Sequence, residues 1–483
     1  MEFKLSWEKL LSGERERKSR TYKDHRNEFD KDYDRVVCSS SVRRLQDKAQ
    51  VFPLQENDFT RTRLTHSIEA SALARSLGLA IEEWLLKENK IEEKYRRCLP
   101  SLLQVSALIH DLGNPPFGHY GEEVIRDWFN NWLDSKEFSK FTEDLPESLR
   151  LKEEEKSDFR NFEGNAQTLR IVTKLQMLND QYGVNFTYAT LATIMKYSWS
   201  SCNKKFINED FKKFGYFQSE KSIVKRIQKA TGLEEGIRHP ATFLLEAADD
   251  ISYLCADIED AVKKGIIPWN DEYNRIKNKL IKEDRDRYYD IFENLDKKNR
   301  EIEENKIPDG VIASVQNFKV SMQGLMLKGV IQAFKDNYNK IMNGEFGHEE
   351  LINNCGLDYL VEELRNLAKK YCFVNKEVLT LELVGANVIN GLLDIFIPSL
   401  VKCNEKPNSK KKEGKLYEMI SPNFKYVCEC DYDKSFGENN IELKDFTEIR
   451  LYDKLLLITD FVSGMTDSYA VNLYKELIGV KLP

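Results

Sequence analysis

Leu99-Pro100-Ser101-Leu102-Leu103-Gln104-Val105-Ser106-Ala107-Leu108-Ile109-His110-Asp111-Leu112-Gly113-Asn114-Pro115-Pro116-Phe117-Gly118-His119-Tyr120-Gly121-Glu122 joins a buried-helix rhythm to an abrupt stop. Pro100 fits the first turn of a helix, where a missing N–H costs nothing. Leu102, Leu103, Val105, Leu108, Ile109 and Leu112 then recur at helical spacing. Gly113 and the Asn114-Pro115-Pro116 run cannot continue that helix. The spacing therefore predicts His110 and Asp111 on the last turn of a buried helix, with a second helix starting near His119. Burying charge is costly unless it is paired or metal-bound. A His-Asp dipeptide alone is most simply a hydrogen-bonded helix end. Here His119 and Glu122 follow closely, which favours a chemical site.

Histidine is scarce: the six are His25, His66, His110, His119, His239 and His348. Three of them fall between residues 66 and 119, in or beside predicted helix ends. This clustering points to a metal site. His66, with Arg63 and Glu69 three residues to either side, would on its own read as a core or boundary histidine. Glu122, three residues after His119, fits either a helix-capping partner or a His–Glu pair facing a metal. A second strong stretch is 240–264. Its apolar stripe is Leu244, Ala248, Ile251, Cys255, Ile258 and Val262. At about 100° per residue, Asp249, Tyr253 and Asp257 share another face. Two carboxylates there repel unless one binds a cation and the other a substrate. Asp250 lies about 100° away, where pairing with a cation is more ordinary.

Composition bounds the alternatives. The 483 residues suggest two or three structural units, and 41% hydrophobic content supports a real core. With a net charge of -7, any polyanion site must be locally basic. The nine Cys show no paired zinc spacing, and Cys428-Glu429-Cys430 falls in a strand-like run. Free thiols in a reducing cytoplasm are the simplest account. The first twenty residues have no apolar signal-peptide core. Val378–Val401 is apolar but interrupted by Thr380, Glu382, Asn387, Asn390 and Asp394, so no membrane span is expected. Residues 12–35, with Arg15, Arg17, Lys18 and Arg20, read as an extended arm, either solvated or contacting nucleic acid or another subunit. Lys196 and Lys213 are solvated or macrodipole-complementing by default and phosphate ligands in the sharper reading. Thr380–Ile397 reads as a helix ended by Pro398. Residues 271–306 form a charged helix or connector. Leu416–Ile420 and Phe424–Cys430 look like a hairpin, within 416–430.

Five segments carry a resemblance. Arg61-Thr62-Arg63-Leu64-Thr65-His66-Ser67, 110–119, Phe162-Glu163-Gly164-Asn165-Ala166-Gln167, Glu246-Ala247-Ala248-Asp249-Asp250-Ile251 and Ser463-Gly464-Met465-Thr466-Asp467 together resemble the deoxyguanosine triphosphate triphosphohydrolase (dGTPase) family of HD-domain metal phosphohydrolases. The resemblance implies an all-α protein: an N-terminal arm and substrate-contacting segment at 1–60, an HD core at 61–270, and a mostly helical region at 271–483 with a small β-hairpin. It implies hydrolysis of deoxynucleoside triphosphates, dGTP foremost, to deoxynucleoside and inorganic triphosphate. One divalent ion, Mg²⁺ or Mn²⁺, would sit on His66, His110, Asp111 and Asp249. Catalysis would fall to His119 and Glu122. Substrate contacts would fall to Gln50, Val51, Asn165, Lys196, Lys213, Tyr253 and Asp257. A cytoplasmic homo-oligomer, a hexamer among the options, with a regulatory dNTP or single-stranded DNA and no membrane, is also implied. Two other classes compete: another HD-domain nucleotide phosphodiesterase or phosphohydrolase, and a non-catalytic nucleotide-sensing or single-stranded-DNA-binding assembly.

Overall fold

Asn27 caps the helix α1 (Glu28–Val37) by accepting hydrogen bonds from the backbone N–H groups of Phe29 and Asp30. This helix lies partly within the stretch expected as an extended arm, and that stretch is not extended throughout. Arg15 is buried and ion-paired to the fully buried Asp32 on α1. Its polar sequence hides an apolar face, Phe29 and Val36, on either side of that pair. The computed structural model describes residues 4–18, 25–52, 54, 59–177, 180–203, 205–207, 212–403, 405–432 and 442–480. Arg20 lies outside the described residues.

The next helices build the core. Thr62 and Thr65 cap α2 (Arg63–Lys87) reciprocally through hydroxyl and backbone N–H. Helix α3 (Cys98–Ile109) is buried almost all round and lies along α2. It ends at Ile109, two residues short of the Asp111 expected on its last turn, with His110 at its C-cap. After the Asn114–Phe117 turn come α4 (Gly118–Leu133) and α5 (Gly164–Arg170). The long helix α6 (Pro240–Lys263) packs against α2 and α3. Gly113 is required by a close approach: a Cβ there would lie 2.1 Å from Gly164 O and 2.2 Å from Thr168 N. The His110-Asp111 turn is thereby pressed onto α5.

The charged stretch 271–306 is two helices, α7 (Trp269–Glu283) and α8 (Arg285–Glu304). Tyr273, Ile276, Leu280, Tyr288, Phe292 and Leu295 bury one side of them. Helix α9 (Gly310–Asp336) covers α6. Helix α10 (Lys376–Val401) passes through Pro398 instead of ending there. Phe396, Ile397, Leu400 and Val401 are buried on either side of the proline, so packing holds a turn that local propensity would break. By length and composition α10 could cross a membrane. Here it packs against α4 and, later in the chain, α13 (Leu451–Ser463), burying Ile389, Leu392, Leu393 and Phe396 as a core helix does.

The hairpin expected within 416–430 is not formed. The segment folds as two short helices, α11 (Lys412–Met419) and α12 (Pro422–Glu429), which precede α13. Leu416, Tyr417 and Ile420, then Phe424, Val427 and Cys428, are buried at spacings of three and four, and Pro422 opens the second helix. The chain closes with α14 (Asp467–Leu477). Among the described residues no sheet forms, only isolated bridges such as Ala49–Thr62 and Cys430–Leu443. The all-α class holds.

Candidate metal centre and active site

Three helices bring the candidate metal-binding side chains to one point. His66 lies in the first turns of α2, His110-Asp111 follow α3, and Asp249 lies in the middle of α6. Ligand atoms of His66, His110 and Asp111 lie within 4.8 Å of one another. Asp249 Oδ1 is 2.8 Å from His66 Nε2 and 3.3 Å from His110 Nε2. The His110 Nδ1–H donates to Ala107 O at 2.7 Å, which turns Nε2 towards the carboxylates. That Nε2 is buried and has no aligned hydrogen-bond partner. An orphaned imidazole nitrogen beside two carboxylates and a second imidazole is the donor set a divalent cation satisfies.

The electrostatics agree. Burial would raise Asp111, but His110 and Arg63 hold it at about 2. Asp249 is likewise lowered, burial being outweighed by His110 and His66. Burial opposes charge on His110, yet Asp111 and Asp249 raise it from 6.5 to about 9. The cluster therefore takes up positive charge when no cation is present. A raised folded-state value stabilises the metal-free protein below pH 6.5, and that contribution is lost as pH climbs through about 9. A metal bound at His110 Nε2 would have to displace its proton. Its affinity is therefore expected to fall about tenfold per pH unit below pH 9, with release of one proton. Calorimetric Mn²⁺ titrations in buffers of different ionisation heat check this. An affinity flat between pH 6 and 9 would remove His110 from the ligand set.

Asp250 behaves differently from its neighbour. Burial, followed by the adjacent Asp249, pushes it up to about 7. Asp249→Asn is expected to abolish metal binding, whereas Asp250→Asn is expected to keep it and change stability alone. Metal titration and thermal melts of both variants check the register. The reverse outcome would shift the ligand by one residue.

The second cluster surrounds Glu122, which is 1% exposed. Its Oε1 accepts a hydrogen bond from Gly164 N at 3.1 Å, at the start of α5. Glu122 thus caps a neighbouring helix rather than its own. Its Oε2 lies 3.3 Å from Lys213 Nζ, 3.6 Å from His119 Nδ1 and 3.8 Å from Arg126. Burial is outweighed by His119, Lys213 and Arg126, which hold Glu122 at about 2. His119 itself is 77% exposed and faces a cavity of about 220 Å³. Asp111, Asp249, Gln50, Val51, Arg63 and Tyr253 line the same cavity.

The remaining expected contacts stand farther back. Lys213 also approaches the buried Glu163 at 2.9 Å. Asn165 donates to Glu163 Oε1 at 2.7 Å. Lys196 pairs with Glu246 at 3.2 Å. Asp257 is buried one turn beyond Tyr253 on α6, with Oδ2 unpaired. None of these four lines the cavity among the described residues. Two groups were missed. Arg63, read only as a neighbour of His66, pairs with Asp111 at 2.6 Å and lines the cavity. The signal was its place one helical turn before His66. Glu163, quoted only within a motif, shares Lys213 with Glu122, and no sequence spacing announces that contact.

An all-helical core presenting a His/Asp cluster beside a His–Glu pair defines an HD-type metal phosphohydrolase. The HD domain model matches residues 63–173. The chain is 38% identical to a deoxyguanosinetriphosphate triphosphohydrolase-like protein of Listeria monocytogenes, over 99% of this chain and 100% of the relative. It is 33% identical to the deoxyguanosinetriphosphate triphosphohydrolase of Salmonella paratyphi A, over 94% of each. A similar protein of Synechocystis is 30% identical over 99% of this chain. The chain belongs to the dGTPase family. It is an enzyme of that type, a metal-dependent deoxynucleoside triphosphate hydrolase.

Proposed function

We propose that this enzyme hydrolyses dGTP foremost among the deoxynucleoside triphosphates, giving deoxynucleoside and intact inorganic triphosphate. The observation that carries the reading is one cavity lined jointly by Asp111 and Asp249, by Arg63, by His119, and by Gln50, Val51 and Tyr253. A single Mg²⁺ or Mn²⁺ held by His66, His110, Asp111 and Asp249 would supply Lewis-acid polarisation of a phosphoryl oxygen. Arg63 brings a fixed guanidinium to the place where phosphate charge must be met. His119 exchanges a proton with the attacking water or the leaving oxygen. Glu122, kept ionised, orients the imidazole and stabilises its charged form. Gln50 Oε1 is buried without a donor and offers an acceptor to the substrate. Guanine, with adjacent N–H donors on its base edge, suits such an acceptor.

Incubation with each of the four dNTPs and Mn²⁺ or Mg²⁺, followed by phosphate-product chromatography, tests the reading. Inorganic triphosphate, fastest from dGTP, is expected. Pyrophosphate or a nucleoside monophosphate would transfer the chain to another HD reaction. The reading includes a cytoplasmic homo-oligomer. Nine free thiols suit a reducing compartment. Exposed Phe373, Val374, Leu379 and Leu383, near the cavity wall, suit a subunit contact.

A further inference from the structure

We propose that Asp467 is a positioning residue for this reaction, bracing the substrate-facing loop against the catalytic loop. Its kinetic part rests on the hydrolase reading above. Asp467 is the first residue of α14 and is 2% exposed. Its Oδ1 accepts a hydrogen bond from Phe117 N at 3.0 Å. Its Oδ2 accepts one from Ala49 N at 2.9 Å. Phe117 directly precedes α4, which carries His119 and Glu122. Ala49 directly precedes Gln50. One carboxylate therefore sets the spacing between the two walls of the cavity.

The surroundings support this assignment. Phe117 has φ +62°, a left-handed conformation that a bulky residue keeps only when its neighbours impose it. Gly385 of α10 lies against its ring, where a Cβ would come within 2.6 Å. Lys48, also buried, donates to Asn114 O and, at 3.1 Å, to Ser463 O. The substrate loop, the turn after the metal ligands and the C-terminal motif are thus tied together at one place. Only a carboxylate of this length offers both backbone N–H groups an acceptor. An amide would turn its own donor towards one of them and release that loop.

Asp467→Asn tests the brace. Hydrogen exchange is expected to rise together at Ala49–Val51 and at Phe117–Tyr120. Mn²⁺ affinity is expected to stay unchanged, because none of the four ligands is touched. The kcat for dNTP hydrolysis is expected to fall about 100-fold, the cost of a misplaced catalytic group. KM is expected to rise as Gln50 loosens. A purely structural role would lower the melting temperature and leave kcat intact, which would overturn the proposal. Exchange rising in one loop alone, or in neither, would overturn it too. If Asp467→Asn does not fold, Asp467→Glu carries the test. It keeps the charge but displaces both acceptors, and the same two segments are expected to loosen. If the wild-type protein releases no triphosphate, the hydrolase reading fails while the exchange arm still decides the brace.

Discussion

Asp111→Asn is expected to lose metal binding and, with it, turnover. The side chain keeps its volume but loses the charge that stands 2.6 Å from Arg63 and 3.5 Å from His110 Nε2. Removing a ligand should cost more than the roughly 10–100-fold that loss of an outer-shell partner costs. The effect on the fold is smaller. Leu102, Leu108 and Ile109 keep α3 buried, and loss of Asp111 also relieves its repulsion with Asp249. Arg63 is left without its carboxylate, so a modest fall in melting temperature is expected. Asp111→Ala would add a cavity to that loss, which makes the asparagine variant cleaner. Metal titration, triphosphate release and thermal melts on one preparation read all three quantities. Full metal occupancy with retained turnover would overturn the ligand set.

His119→Ala is expected to keep the metal and lose turnover by roughly two to four orders of magnitude, the range for general acid–base catalysis. His119 is exposed to the cavity, and on its removal the buried Glu122 keeps Lys213, Arg126 and Gly164 N as partners. Glu122 is different because it also caps α5 and neutralises Lys213. Glu122→Ala would leave Gly164 N without its acceptor and Lys213 with Glu163 alone, and cost about 1–3 kcal/mol of stability. Glu122→Gln keeps an acceptor for Gly164 N and removes the charge, which separates the two roles. Its turnover is expected to fall less than that of His119→Ala, and the double variant to be little worse than His119→Ala, because the two act as a unit. Strict additivity in single-turnover rates would rule out the pair. Glu122 stays ionised from about pH 4 upward, since its value is about 2. An acidic limb in the rate profile above pH 5 therefore does not belong to Glu122.

The sequence by itself determined the local chemistry. An apolar helix broken by Gly113 had to present His110 and Asp111 at its end, because the periodicity and the prolines leave no other place for them. The spacing of Asp249 and Tyr253 on α6 likewise follows from helix geometry, and both line the cavity. Scarce histidine marked the candidate metal cluster. The tertiary structure decided which distant groups share a charge. Glu122 was legible as a partner of His119, but its bond to Gly164 N and its contact with Lys213 join segments that no period links. Asp467 meets Phe117 and Ala49 across most of the chain for the same reason. The structure also overrode local signals where burial outweighed propensity: α10 continues through Pro398, and 416–430 folds as two helices. A strand-like run and a helical stripe use the same apolar residues. Only the surface they must cover, here α13 beneath α12, selects between them.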